Sequence, residues 1–586
     1  MGLTGVTEPR LVVSSNLADT SAVKYTTLSY CWGPKVDADK QLKTERLTYD
    51  SRCYGMPLDT MTPVLRDAVV VCRSLGIRYI WVDALCIVQD DMEDWARESE
   101  VMGLVYYHAY LTICPLASRS CLEGFLGPRP PGMQIDFCSS LEPTIQGTIS
   151  LYESHNDRDL AELGLPSRLE SGSGFDLDPP KDLDISLAAW STRGWTFQEE
   201  HCSFRMLYFG KNMIHFTCTT WGTSENCFQV SGDGVQGPFR ELFNSFSESS
   251  KSTQSAEAEV APWESPAFKA SATWEVMSPL ITRRMFTYRQ DIFPALAGMA
   301  KAAAQVQNDT YLAGLWKNGL HRGLLWYIPT PQPGSLEVIL ANLQSNPVYI
   351  APSWSWVSTP GYFEYLAPFY YSVSEIDAPT NSHKMFAMTK SRPSHIRQEF
   401  TLLHHQILQD GFSLYGRIKH ASLRFRGKLL RPPSTITMHP KSKSAGHPPF
   451  GYFANNHGSI YMDWCITEKT ELPPGDMVLF VTASCCQATS NEVLRWQANP
   501  DEDHTQGLGE RAVRVGGDVT MEEAIREGES CLSCADGRQG RNAWGLVLHP
   551  TQTAGTYYRV GAFVLFGHAG GLGLFEAVDW QEVEIV

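Results

Sequence analysis

No window of this sequence approaches ~18 uninterrupted apolar residues, so a transmembrane helix is not expected. The opening Met1-Gly2-Leu3-Thr4-Gly5-Val6 lacks the basic start and apolar core of a signal peptide. Val6 also stands where a myristoylation signal wants Ser or Thr. No G-x-x-x-x-G-K-[ST] phosphate loop is present, and Gly507-Leu508-Gly509 does not complete a G-x-G-x-x-G after a clear strand. Cys531-Leu532-Ser533-Cys534 is a lone C-x-x-C with no second pair at zinc spacing, so neither metal nor redox chemistry is expected there. Positive charge is in deficit: 48 Lys and Arg against 64 Asp and Glu leave −16, which argues against general binding to nucleic acid or anionic membranes. The 15 cysteines are odd in number and scattered, which suits reduced thiols in a cytoplasmic protein better than a disulfide framework.

The 586 residues, 43% of them hydrophobic, are enough for two or three domains with sizeable cores. Lys24–Tyr30 reads as a strand stopped by Cys31-Trp32-Gly33-Pro34. Thr62-Pro63 looks like an N-cap with Pro at the first helical position, and Leu65, Ala68, Val69, Cys72 and Leu75 share one face up to Gly76. Tyr79–Val82 reads as a strand buried on both sides, with Asp83 at its carboxyl end. A second helix begins among Asp90, Asp91, Glu93 and Asp94, where the helix dipole favours negative charge. Its apolar stripe is Trp95, Met102, Tyr106 and Ala109. Leu111–Cys114 and Met206–Phe209 complete an alternation that implies βαβ units and a mostly parallel sheet.

Beyond it, residues 245–261 carry almost no large apolar side chains and read as a disordered insertion. Arg289–Val306 and Leu312–Tyr327 look helical. Ser353-Trp354-Ser355-Trp356-Val357 reads as a strand with one aromatic face, and strand-like runs at Met477–Thr482, Gly545–Leu548 and Ala562–Phe566 make the tail mainly β. Eight basic residues without an acid fall between Gly411 and Phe450, and Leu423-Arg424-Phe425-Arg426 alternates as a half-buried strand with a solvated charged face.

Three blocks stand in order: Leu28-Ser29-Tyr30-Cys31-Trp32-Gly33, then Tyr79 to Asp91 (Y-I-W-V-D-A-L-C-I-V-Q-D-D), then Arg193-Gly194-Trp195-Thr196-Phe197-Gln198-Glu199. Together they resemble the fungal heterokaryon-incompatibility (HET) domain over roughly Tyr25–Glu200. Tyr311–Trp316 and Ala351–Trp356 resemble the region that often follows it. The resemblance implies a role in programmed cell death or non-self recognition, a form of innate immunity. The HET domain is distantly similar to TIR domains, which implies an α/β, flavodoxin-like sheet and, as in some of those domains, NAD cleavage by a glutamate in a W-x-x-x-E context. Trp195 to Glu199 has that spacing. The expected organisation is a lead-in at 1–24, the HET domain at 25–210, a partly helical middle region at 211–350 and a β-rich region at 351–586. No cofactor is expected; NAD would be a substrate. The other reading is a non-enzymatic module whose blocks form a self-association surface, giving a homo-oligomer and protein partners. Neither a membrane nor nucleic acid is an expected partner.

Each candidate site residue has two readings. Glu199 is the candidate catalytic group, because a carboxylate stabilises the positive charge that builds on ribose as nicotinamide departs. Thr196-Phe197-Gln198-Glu199 is equally a T-x-x-E capping box. Asp83 is placed to hold a ribose hydroxyl at the carboxyl edge of the sheet, or to cap the following turn. Ser29 and Trp32 end the first strand at the same edge, where Trp32 either stacks on a flat ring or joins the core. Arg193 meets a pyrophosphate or pairs with the acidic helix starting at Asp90. Trp195 is an aromatic wall of the same site, and Glu200 is the spare acid, turned roughly 100° away.

Overall fold

Tyr25–Leu28 (β1) pairs in parallel with Tyr79–Trp81 (β2) on one side and Leu111–Cys114 (β3) on the other, and β3 pairs in parallel with Met206–Phe209 (β4). This computed structural model describes residues 8–17, 23–129, 133–151, 184–186, 188–211, 213–226, 229–231, 265–329, 335–345, 348–366, 396–411, 413–432, 436–438, 451–453, 458–464, 476–485, 541–565, 567 and 570–586. Past β4 the sheet continues antiparallel through Ile214–Thr217 (β5), Trp221–Ser224 (β6) and Gln229–Ser231 (β7), giving the order β2-β1-β3-β4-β5-β6-β7. The chain runs outward from β1 to β2 and then returns past it to β3. The strand order therefore reverses beside β1, and in open α/β sheets ligands bind at the carboxyl edge of such a reversal.

Side chains of adjacent strand residues point to opposite faces. On β1, Thr26 Oγ1 meets Cys72 Sγ at 3.0 Å, while Thr27 Oγ1 meets Thr112 Oγ1 at 2.7 Å and Thr112 meets Ser203 Oγ at 2.7 Å. Cys72 lies on helix α1 (Pro63–Ser74), which has Pro at its first position and is followed by Gly76 at φ +68. Val64, Leu65, Ala68, Val71 and Cys72 of α1 bury against Leu28, Tyr30, Val82 and Ile113. The opposite face carries α2 (Met92–His108) and α3 (Gly194–Cys202), the latter ending just before Ser203. The Asp91 carboxylate caps α2 by accepting from the Glu93 and Asp94 amides.

Met102 and Tyr106 of α2 and Phe197 and Cys202 of α3 enter a core that continues into the rest of the chain. That core includes Trp274 on α4 (Pro266–Ile281), Met299 on α5 (Ala297–Gln307), Trp326, Trp354 and Trp356, and residues of a ten-stranded, mainly antiparallel C-terminal sheet. Fully burying each large apolar side chain is worth about 1.5–3 kcal/mol. No helix among the described residues is long and apolar enough to cross a membrane.

Several expectations need correction. Tyr79–Trp81 is half-buried, because it is the edge strand of its sheet. Leu75 is 48% exposed, and Val71 takes its place in the core. Arg289–Asp291 and Pro294–Leu296 are 3-10 turns that lead into α5. Leu312–Tyr327 is not a helix: Tyr311–Leu312 and Leu315–Trp316 form a hairpin around Ala313 (φ 44) and Gly314 (φ 93), followed by one helical turn at Leu320–Gly323. Ser353–Val357 is a set of turns and not a strand with one aromatic face, and Ser353 and Ser355 are buried along with Trp354 and Trp356. Ser355 Oγ donates to the Ala313 carbonyl at 2.7 Å, which ties the turns to that hairpin. By contrast, Ile418–Leu430 is a strand with Leu423 and Phe425 buried and Arg424 and Arg426 exposed. The insertion read at 245–261 lies outside the described residues, as does Cys531–Cys534.

Helices α2 and α5 cross where Gly103 faces Gly298. A Cβ on Gly103 would lie 3.2 Å from the Gly298 Cα, a contact tight enough that the helices would have to move apart by a few tenths of an ångström. Forcing a large side chain into such a contact typically costs ~1–3 kcal/mol. Gly103→Leu should lower the urea midpoint by that order, while Gly127→Ala, where a Cβ meets nothing within 4 Å, should stay within about 0.5 kcal/mol. Equal midpoints for both variants would show that the crossing does not hold the two parts together.

Candidate functional site

Ser29 follows β1 and points to the same face as Thr27, toward α3. Its hydroxyl accepts from the Trp190 indole at 2.7 Å and donates to Oε2 of Glu199. Glu199 is 6% exposed. Asp83 follows β2, with Oδ2 accepting from the Trp32 indole at 2.9 Å and Oδ1 from the Ala84 amide at 2.7 Å. The Tyr30 hydroxyl, which accepts from Gln41 Nε2 at 3.1 Å, turns its proton toward Asp83. Arg193 precedes α3, and its guanidinium acts on both Asp83 and Glu199. The carboxyl edge of the parallel strands thus gathers two acids, one cation, two hydroxyls and two indoles.

Burial sets the charge state of this group. It pushes the Glu199 carboxyl up to about 8, opposed by the Ser29 hydrogen bond, reinforced by the nearby Asp83 carboxylate and opposed again by Arg193 and Tyr106. Burial also raises Asp83, against the pull of the Ala84 amide, the Trp32 indole, Arg193 and Tyr30. Two neighbouring acids resist double ionisation, so the pair carries less than its formal charge at neutral pH. Nearby thiols are held neutral, since burial pushes Cys31 up to about 11 and Cys114 well above its ordinary value. A cysteine nucleophile is therefore poorly supported here.

Ser29, Trp32, Asp83, Arg193 and Glu199 belong to one group, and Trp195 engages a different neighbour. Its ring packs edge-on against Trp95, centroids 5.8 Å apart, and the Arg417 guanidinium lies 5.2 Å from the Trp95 ring centre. Glu200 pairs with Arg284 at 2.8 Å. The capping box does not form: α3 starts at Gly194, Thr196 donates to the Trp190 and Arg193 carbonyls, and Glu199 turns to Ser29. In the acidic helix start considered as the other partner of Arg193, Asp90 accepts from the Arg46 amide at 2.8 Å, Asp91 caps α2 and Asp94 pairs with Arg97. Sequence reading missed Trp190, and it took Tyr106 for a purely apolar position. Tyr106 donates to the Leu28 carbonyl at 3.0 Å and lines the Glu199 side. Only its hydroxyl on an otherwise apolar stripe could have signalled this. Among the described residues no cluster of three or more His, Cys, Asp or Glu side chains is arranged to hold a metal ion.

Residues 25–199 match the family model of the heterokaryon incompatibility protein (HET). That stretch is a HET domain. The match spans about three-tenths of the chain and contains every member of the acid group. No curated protein and no solved structure matches this chain.

An acid raised on folding binds its proton more tightly folded than unfolded, so stability falls as pH climbs from its ordinary 4.5 toward about 8 and then levels off. Glu199→Gln mimics the neutral acid. Its melting temperature, relative to the native chain, should therefore improve steadily between pH 5 and 8.5. The gain should exceed about 1.4 kcal/mol, the free energy of a tenfold change in proton affinity. A pH-independent difference would mean that Glu199 is not a buried neutral acid.

Proposed function

We propose that this HET-domain protein is a cytoplasmic effector of non-self recognition and cell death, and that its acid group hydrolyses NAD at the nicotinamide–ribose bond. The observation that carries the reading is the union of Glu199, Ser29, Asp83 and Arg193 at the carboxyl edge beside the strand reversal. The order β2-β1-β3-β4 is also that of flavodoxin-like sheets, which supports a TIR-like architecture.

In the reaction the C–N bond breaks and its electron pair leaves with nicotinamide, which departs neutral. Water adds to the ribose carbon and releases a proton. Ionised Glu199 stabilises the oxocarbenium-like sugar, Ser29 fixes the carboxylate, Asp83 holds a ribose hydroxyl and Arg193 meets the pyrophosphate. The rate should rise with pH through about 8, as the Glu199 carboxylate becomes populated.

One observation favours the non-enzymatic reading. Glu199 is enclosed and hydrogen-bonded, which also suits a buried acid that only holds α3 on the sheet. The two readings separate in one experiment: purified chain, concentrated to promote assembly, is incubated with NAD and free nicotinamide is measured. Glu199→Gln should reduce release roughly a hundredfold or more, the usual cost of losing a transition-state charge contact of ~3–4 kcal/mol, with the fold retained. Undiminished release removes Glu199 from catalysis. No release from native chain shown to be assembled transfers the function to the self-association module.

A further inference from the structure

Five side chains form one row across the carboxyl edge, on the face that α3 covers. Strand pairing sets Cys114 beside Tyr208, Tyr208 beside His215 and His215 beside Ser224, and directly paired residues point to one face. Ser29 opens the row: its amide donates to the Ile113 carbonyl at 2.9 Å and its hydroxyl reaches the Cys114 thiol. The acid group lies at this β1 end. At the β6 end is a second polar group, which the proposed reaction does not use. His215 Nε2 meets Asp184 Oδ2 at 2.8 Å, and Nδ1 meets Ser224 Oγ at 2.7 Å. A carboxylate only accepts, so Nε2 carries a proton and donates. All three residues are buried, His215 completely. Gly210 makes the seat, since a Cβ there would overlap the Asp184 carboxylate. The other charged neighbour of His215, Glu225, pairs with Arg129.

Asp184 and Trp190 join the two ends of the row. Between them Ile185 and Ala189 pack against the core that holds Cys114 and Tyr208, and the Ala188 amide donates to the Ile185 carbonyl at 3.1 Å. Trp190 then stands edge-on to Tyr208, ring centres 6.2 Å apart, and gives its indole N–H to Ser29, which donates to Glu199. Burying a carboxylate is costly, so the partner that satisfies Asp184 also decides where it sits. From this geometry we infer that His215 is a positioning residue for the acid group: by holding Asp184 it fixes the chain that brings the Trp190 indole to Ser29, and so the hydroxyl to Glu199. Asp184 and Trp190 lie within the HET match, whereas His215 lies just beyond it. The inference rests on the acid group and not on NAD hydrolysis, so it holds under either functional reading.

The readout is the proton affinity of Glu199 in the full chain. It is taken from the pH dependence of the melting-temperature difference between each variant and the same variant carrying Glu199→Gln. Glu199 is faced by Asp83, Arg193, Tyr106, Cys31 and Cys114, none of which the variants alter. His215→Leu removes the donor to Asp184 and should free Trp190 and admit water to Ser29. Because burial is what raises Glu199, its proton affinity should then fall roughly tenfold or more. His215→Gln, whose amide places a donor near the Nε2 position, should restore the native value. Trp190→Phe removes the indole donor alone and should lower the affinity by a similar factor. Adding His215→Leu to Trp190→Phe should lower it no further, because both act through one contact. Native affinity in His215→Leu, additive effects in the double variant, or no rescue by His215→Gln would each overturn the inference. Should His215→Leu not fold, Asp184→Ala, which leaves the strands intact, carries the same expectations. A native chain without the pH dependence has no raised acid and also ends the inference. Nicotinamide release is measured separately, so its absence removes the hydrolase reading and leaves this one standing.

Discussion

A carboxylic acid enclosed between a sheet and a helix is the constraint on which the HET domain's site depends. Burying an isolated carboxylate is so costly that the group either keeps its proton or finds partners. Glu199 does both: burial pushes it up to about 8, and Ser29 donates to it while Trp190 holds Ser29. The surrounding polar chain follows from the same requirement. Thr27, Thr112 and Ser203 form a hydrogen-bonded row across the sheet, and Ser203 donates to the Glu199 carbonyl at 2.6 Å. A buried row of this kind is stable only when each member is satisfied, so β1, β3 and α3 are held to one relative position.

That position is not set by the HET match alone. Residues 25–199 end inside α3, and the chain beyond grips the same helix from outside. Gly194 N donates to the Met285 carbonyl at 2.8 Å, and Met285 N returns a bond to Thr192 at 2.6 Å. Arg284 pairs with Glu200, and its guanidinium lies 5.5 Å from the Phe197 ring centre. Gln198 accepts from the Gly298 amide at 3.1 Å, at the glycine crossing itself. Asp291 pairs with Arg417 at 2.5 Å, and Arg417 also covers Trp95, so the C-terminal sheet reaches the stack that holds Trp195. The helix that carries Glu199 is therefore held from both the HET match and the chain beyond it.

Local pattern made the parallel strands and the first two helices legible, because each is written in consecutive residues: Thr62-Pro63 before α1, the acidic cluster before α2, and Leu111–Cys114 and Met206–Phe209 as short apolar runs. The carboxyl-edge positions of Ser29, Trp32 and Asp83 followed from where those strands end. What failed was tertiary. Leu312–Tyr327 has helical spacing, yet Ala313 and Gly314 take positive φ and turn the chain into a hairpin. Trp354 and Trp356 alternate with serines as on a strand with one aromatic face, yet the segment forms turns and Ser353 and Ser355 are buried too. Glu199 was ambiguous for the same reason. Capping box and helical W-x-x-x-E differ by where α3 begins, and that is decided by Met285 pairing with Thr192 and Gly194, some ninety residues away.

The raised acid has one consequence that both functional readings share. At pH 7 a carboxyl pushed up to about 8 is mostly protonated, whereas the same group in water returns toward its ordinary 4.5 and is almost wholly ionised. Any movement of α3 away from Ser29 thus releases a proton and creates a negative charge facing Arg193. Ionisation stabilises the opened form and not the closed one, so enclosure is maintained by packing and hydrogen bonds against a standing electrostatic cost. For a hydrolase, that charge is the catalytic group appearing as the site opens to substrate. For a self-association module, it is a new surface charge that selects a cationic counterpart. Under either reading the charge on Glu199 is set by its enclosure, and the chemistry done at the carboxylate distinguishes the two.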